Sequence, residues 1–233
     1  MAKPGQLRKA VAEALSLQEQ LESVDVHLRN LREAGLITKA KKGGGAADMS
    51  PDDALNLLLA VGGSDRPKDS VKTVERFRPL PRTSMRMRRI ERFPRTSILT
   101  RRNERSPHEL RGLPLADMTE QHAFSDALRE VLILLRDSEL FTPDLRFQLY
   151  RDERRFQTAQ PTEYLFVHLF FPLNAAVIMF GLRGGIEVEA VYGSLPTDGV
   201  QVWDLRRLRS EGQLLTIRAI DLKSLRAIAK AIA

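Results

Sequence analysis

Three apolar runs, Tyr164–Phe171, Ala175–Leu182 and Ile186–Tyr192, follow one another with only Pro172–Asn174 and Arg183–Gly185 between them. Runs of this length, rich in aromatic and branched residues, are strands. Connections this short join antiparallel neighbours, because a parallel crossover needs about a dozen residues or more. The second half of the chain is therefore expected to hold an antiparallel meander. Further strands are expected at Arg146–Tyr150 and Leu214–Ala219, and the latter leads into a closing helix capped by Asp221 and ending at Ala233. Thr119–Arg136 places Ala123, Phe124, Ala127, Leu128, Val131, Leu132 and Leu135 at helical spacing, an amphipathic helix to cover the sheet. The fold class that follows is α+β, an antiparallel sheet with helices on one face.

The first sixty-three residues have another texture. Gln6–Leu15 carries Leu7, Val11, Ala14 and Leu15 at helical spacing. Ser23 has the placing of an N-cap for Val24–Ala34, whose apolar stripe is Val24, Leu28 and Leu31. Gly35 stands where a left-handed residue closes a helix. Lys39-Ala-Lys-Lys-Gly-Gly-Gly45 reads as an exposed basic turn. Ser50-Pro51-Asp52-Asp53 is a helix start with a cap, proline in the first turn and two acids, and the helix runs to Gly62-Gly63.

Between these parts the charge is uneven. From Arg66 to Arg111 there are 15 Lys/Arg against 5 Asp/Glu, a balance of +10, so the remainder of this +7 chain is −3. Prolines at 67, 79, 81, 94 and 107 interrupt any period. Residues 64–116 are thus expected to be a Pro/Arg-rich linker or arm, dividing a domain at 1–63 from an α+β domain at 117–233. Arginine binds phosphate bidentately, so such an arm suits a polyanion. Arg86, Arg88, Arg89, Arg92, Arg101 and Arg102 are its candidate contacts, and the bland alternative is a solvated linker.

The run Ser23-Val-Asp-Val-His-Leu-Arg-Asn-Leu-Arg-Glu-Ala-Gly-Leu-Ile-Thr38, followed by Lys39, Lys41, Lys42 and Gly43–Gly45, resembles the recognition helix and wing of winged helix-turn-helix regulators of the MarR and ArsR type. The resemblance covers residues 5–62, about a quarter of the chain. It implies a helix that enters the major groove of double-stranded DNA and a basic hairpin that follows it. With Val24, Leu28 and Leu31 turned inward, the candidates for base contact are His27, Arg29 and Asn30. Ser23, Arg32, Lys39, Lys41 and Lys42 are the candidates for phosphate. Operators with two-fold symmetry suit dimers, so a homodimer is the expected assembly, with the C-terminal domain serving dimerisation or sensing.

Several classes are disfavoured. There is no cysteine, and His27, His108, His122 and His168 lack metal-ligand spacing. Gly43–Gly45 and Gly184-Gly185 lack the context of a phosphate loop, and no Gly-x-Ser-x-Gly elbow occurs. Glu187 and Glu189 alternate with Ile186, Val188 and Ala190, the pattern of a solvated sheet face. Neither catalysis, a metal nor a cofactor is expected. Tyr164–Phe171 is too short to span a bilayer, and no signal-peptide core follows Lys3, Arg8 and Lys9, so a cytoplasmic site is expected. The function expected is sequence-specific duplex DNA binding by a transcriptional regulator. The alternatives are a phage or mobile-element assembly protein resembling a small terminase subunit, a helical module that only pairs proteins, and an RNA binder led by the arginine arm.

Overall fold

The computed structural model describes residues 2–40, 46–89, 121–137, 164–171, 173–182, 186–194 and 216–233. Six α-helices and five strands are defined among them: α1 Pro4–Ala14, α2 Leu21–Glu33, α3 Pro51–Gly63, α4 Ser70–Phe77, β1 Arg82–Arg89, α5 Phe124–Asp137, β2 Tyr164–Phe171, β3 Ala175–Leu182, β4 Ile186–Gly193, β5 Thr216–Asp221 and α6 Leu222–Ala231. Short 3₁₀ turns at Gln18–Gln20 and Pro67–Asp69 precede α2 and α4.

The meander forms as its turns require. The strands lie in the order β1-β4-β3-β2-β5, and every pairing is antiparallel. Alternation divides the side chains between two faces. Leu165, Val167, Leu169, Ile178, Phe180, Val188, Ala190, Tyr192 and Ile220 join one core with the helices. Phe170, Ala175, Val177, Met179 and Val191 make a second apolar cluster on the opposite face, flanked by Phe166 and Leu173. The fold is α+β.

Helix α3 is the hub. Ser50 caps it by accepting the Asp53 amide at 3.1 Å, and Pro51 opens the first turn. Every residue from Asp53 to Gly63 is buried. A helix apolar on all sides must be enclosed on all sides, and α1, α2, α4, α5, α6 and β5 pack around this one. Leu55, Leu57, Leu58 and Leu59 are fully buried, each contributing roughly 2 kcal/mol of transfer free energy. Helices from the first sixty-three residues and elements beyond residue 117 thus share one continuous core. Helix α1 lies along α6, where the Ser224 hydroxyl donates to the Ala14 carbonyl at 2.7 Å.

A second tie joins helices to sheet. Arg218 of β5 donates to the Gly62 carbonyl at 3.1 Å and the Ser64 carbonyl at 3.0 Å, and pairs with Asp65. A cation at the open carbonyls of a helix end satisfies acceptors that have no helical partner and meets the negative pole of the dipole.

Five elements differ from their sequence reading. Helix α2 starts at Leu21, so Ser23 lies inside it and caps nothing; the Gln18–Gln20 turn feeds the helix directly. Residues 67–89, read as the start of an arm, are ordered. Helix α4 buries Ser70, Thr73, Val74 and Phe77, and β1 joins the sheet with Arg86 opposite Glu189 and Arg88 opposite Glu187. The amphipathic helix starts at Phe124 rather than Thr119, and the last strand is Thr216–Asp221. The expected strand at Arg146–Tyr150 lies outside the described residues.

Candidate nucleic-acid interface

Helix α2 and the chain that follows it hold most of the candidate contacts. Val24, His27, Leu28 and Leu31 form its buried face. Glu22, Val26, Arg29 and Glu33, spaced by four, three and four residues, make its exposed stripe, with Val26 at 39% exposure. Arg32 borders the stripe and is half-buried, as is Ser23. Asp25 is engaged by Arg8 at 3.1 Å.

The three expected base-reading residues are not on one surface. Arg29 is exposed and, among the described residues, makes no ion pair or hydrogen bond with its side chain. His27 is 4% exposed, with Nδ1 2.8 Å from the Ser70 hydroxyl. That hydroxyl donates its one hydrogen to the Pro67 carbonyl, so the His27 Nδ1–H is the donor to Ser70. Burial, and then the nearby Arg218 charge, push the His27 pKa down to about 4. Asn30 donates from Nδ2 to the Pro67 carbonyl at 2.7 Å. Both side chains thus hold α2 against the Pro67–Asp69 turn and the start of α4.

The basic loop after α2 rises from a pinned base. Gly35, at φ +77°, turns the chain out of the helix, and the Leu36 carbonyl accepts from Asn56 Nδ2 at 2.6 Å. The Asp53 carboxylate, 3% exposed, then takes both ends of the loop. It accepts the Thr38 amide at 2.7 Å and hydroxyl at 2.9 Å, and the Ser50 amide at 2.7 Å and hydroxyl at 2.8 Å. The returning limb is tied to the chain start, with the Met49 amide donating to the Ala2 carbonyl and Lys3 Nζ reaching Asp48 and the Ala46 carbonyl, all at 2.8–2.9 Å. No strand occurs among the described residues 36–40 and 46–50, so the hairpin strands that the resemblance implies are not seen there. Lys39 is exposed; Lys41, Lys42 and Gly43–Gly45 lie outside the described residues.

Electrostatically, the described cations differ in whether a carboxylate already holds them. Lys3, Arg8, Arg78, Arg129, Arg136 and Arg218 are paired with carboxylates. Among the described residues, Arg29, Arg32 and Lys39, and on the neighbouring turn Arg66 and Lys68, have neither an ion pair nor a side-chain hydrogen bond, as is also true of Lys9, Lys72, Lys223 and Lys230 on other surfaces. Of the arm candidates, Arg86 is an exposed residue of β1 and Arg88 and Arg89 continue that strand, whereas Arg92, Arg101 and Arg102 lie outside the described residues. The sequence reading missed Asp53 as the anchor of the loop, although Ser50-Pro-Asp-Asp53 marked it as a first-turn acid.

The other described histidines, His122 and His168, serve packing, and His108 lies outside the described residues. His122 is buried, with Nε2 2.9 Å from the Tyr192 hydroxyl, whose pKa burial raises. His168 sits between the rings of Phe166 and Phe170 on the second sheet face, and burial lowers its pKa. Among the described residues, no group of three or more His, Asp or Glu is placed to hold a metal ion, and no helix is long and apolar enough to cross a membrane. No protein-family model matches the chain, and neither a curated protein nor a solved structure matches it.

Proposed function

We propose that this chain binds double-stranded DNA through the exposed stripe of α2 and the basic loop that follows it. The observation that carries the reading is the group of uncommitted cations Arg29, Arg32 and Lys39, set at the root of a lysine- and glycine-rich loop whose two ends are fixed by one buried carboxylate. Cations already paired with carboxylates must break those pairs to meet phosphate; these need not. A fixed loop base also lowers the ordering cost of binding. Most of the affinity comes from phosphate contacts by Arg32, Lys39, Lys41 and Lys42, which set register without reading sequence. Arg29 is the residue placed to read a base edge, by bidentate hydrogen bonding to guanine. Glu22 and Glu33 at the ends of the stripe repel phosphate and confine the contact to its middle. Sequence preference is therefore modest, centred on Arg29.

The test uses the whole chain, since the core is continuous from α1 to α6. Fluorescence anisotropy with a mixed-sequence duplex, competed by single-stranded RNA of equal length, measures affinity and class. The Lys39→Ala/Lys41→Ala/Lys42→Ala variant is expected to lose at least tenfold in duplex affinity while keeping its fold. RNA that displaces the duplex at equimolar concentration, with the variant unaffected, would contradict the reading.

A further inference from the structure

The chain from Ser64 to Ser70, expected to begin a loose arm, is held against α2. Asn30 and Ser70 both donate to the Pro67 carbonyl, and His27 donates to Ser70. This network leaves the side chains on either side of Pro67 outside. Arg66 and Lys68 are exposed, and among the described residues neither makes an ion pair or side-chain hydrogen bond. Of the acids beside them, Asp65 is bound by Arg218, and Asp69 is half-buried.

The position of this turn relative to the basic loop follows from α3. The loop ends at Ser50, immediately before α3, and the turn starts just after Gly63 at its other end. Thirteen helical residues span about 20 Å at 1.5 Å each. Helix α2 packs against α3 between these ends, with Asn56 and Asp53 holding the chain after its C-terminus and Pro67 meeting it at Asn30. Two groups of cations are therefore carried on segments that join opposite ends of α3 and that both adjoin α2, as two contacts to one duplex groove about 12 Å wide require.

We propose that Arg66 and Lys68, on the turn that Asn30 and His27 hold against α2, form a second phosphate-contacting edge of the DNA-binding surface. This rests on the duplex-binding reading above and extends it. Lys39 and its loop meet one phosphate row, and the Pro67 turn meets the row across the groove. Asn30 and His27 then act as positioning residues for that second edge.

Binding of a fluorescein-labelled mixed-sequence duplex to the full chain, titrated over a range of salt concentrations, tests this. Each lost phosphate contact lowers the slope of log affinity against log salt by about 0.9. Arg66→Ala/Lys68→Ala is expected to lower that slope by about two and low-salt affinity by on the order of tenfold. Lys223→Ala/Lys230→Ala removes the same charge from exposed positions on α6, which packs on α1 and α5, and is expected to keep the wild-type slope. Both pairs are exposed, so melting temperatures should be unchanged. A wild-type slope in the Arg66/Lys68 variant, with the Lys39/Lys41/Lys42 variant weakened, overturns the second edge and leaves the first reading standing. Equal slope changes in the Arg66/Lys68 and Lys223/Lys230 variants reduce the effect to net charge and also overturn it. A wild-type chain that does not bind the duplex overturns both.

Discussion

Asp53 and Thr38 are joined twice, the carboxylate accepting the Thr38 amide at 2.7 Å and its hydroxyl at 2.9 Å. The same carboxylate takes Ser50, so one buried side chain in the first turn of α3 closes the loop that departs from α2. Asp53→Ala leaves two backbone amides without acceptors and removes half of the capping box. The loss is expected to be about 3 kcal/mol, from hydrogen bonds to a charged acceptor together with the cap. Urea unfolding measures it, and hydrogen exchange at Thr38 and Ser50 should quicken more than exchange at the centre of α3.

Acid should weaken the fold through His27. Its pKa lies at about 4 in the folded chain, against an ordinary value of 6.5. Between these two pH values the unfolded chain takes up a proton that the folded chain refuses. The contribution of His27 is therefore fully present above pH 6.5, falls as pH drops toward 4, and is lost below. At 1.36 kcal/mol per pH unit the whole change is at most about 3 kcal/mol. His27→Gln removes the titrating group, so its unfolding free energy should decline less steeply than that of the wild type across this window. Parallel profiles would show that His27 takes no part.

Arg218 is the second cause of the low His27 pKa. Arg218→Gln removes that charge, and the imidazole is expected to titrate at higher pH, as followed by proton NMR. The same change frees the Gly62 and Ser64 carbonyls and should cost about 2 kcal/mol in stability. An unmoved His27 titration would exclude the electrostatic coupling.

Two left-handed glycines should respond differently to a methyl group. At Gly193, φ +76°, an added Cβ would stand 2.0 Å from the Asn174 carbonyl oxygen. At Gly35, φ +77°, it would meet nothing within 4 Å. Gly35→Ala is expected to cost about 1 kcal/mol, the conformational penalty alone. Gly193→Ala adds a backbone clash at the β3–β4 corner and should cost well over about 3 kcal/mol, or prevent folding. Equal melting temperatures for the two variants would contradict this.

The parts of the fold legible in the sequence are those where local chemistry and tertiary packing agree. Pro172–Asn174 and Arg183–Gly185 are too short for anything but antiparallel neighbours, and Ser50-Pro-Asp-Asp53 begins a helix that the structure encloses. Helix α4 escaped notice because two of its four buried positions, Ser70 and Thr73, are polar, and it is only eight residues long within an arginine-rich stretch. In β1, Arg82, Arg86 and Arg88 fall on one alternation and Met85 and Met87 on the other, so charge hid a strand whose partners, Glu187 and Glu189, lie on the distant β4. At the candidate interface, period alone gave the stripe Val24, Leu28 and Leu31. It did not give the width of the buried face, which the Pro67 turn and α4 widen to take in His27 and part of Asn30. Arg29 is exposed because no described element packs over it.

The most direct test of duplex binding is its salt dependence in the full chain. With Arg29, Arg32, Lys39, Lys41 and Lys42 all at the DNA, four to five released counterions predict a slope of at least roughly −4 in log affinity against log salt, and the Arg66/Lys68 edge takes it to roughly −6. Between about 50 and 200 mM salt, affinity should then fall at least on the order of a hundredfold, and Arg29→Ala should weaken binding by a further 1–3 kcal/mol, roughly 5- to 150-fold. A chain that leaves duplex DNA unbound at low salt, or binds it with a slope that Arg29→Ala and Lys39→Ala/Lys41→Ala/Lys42→Ala leave unchanged, would contradict the account.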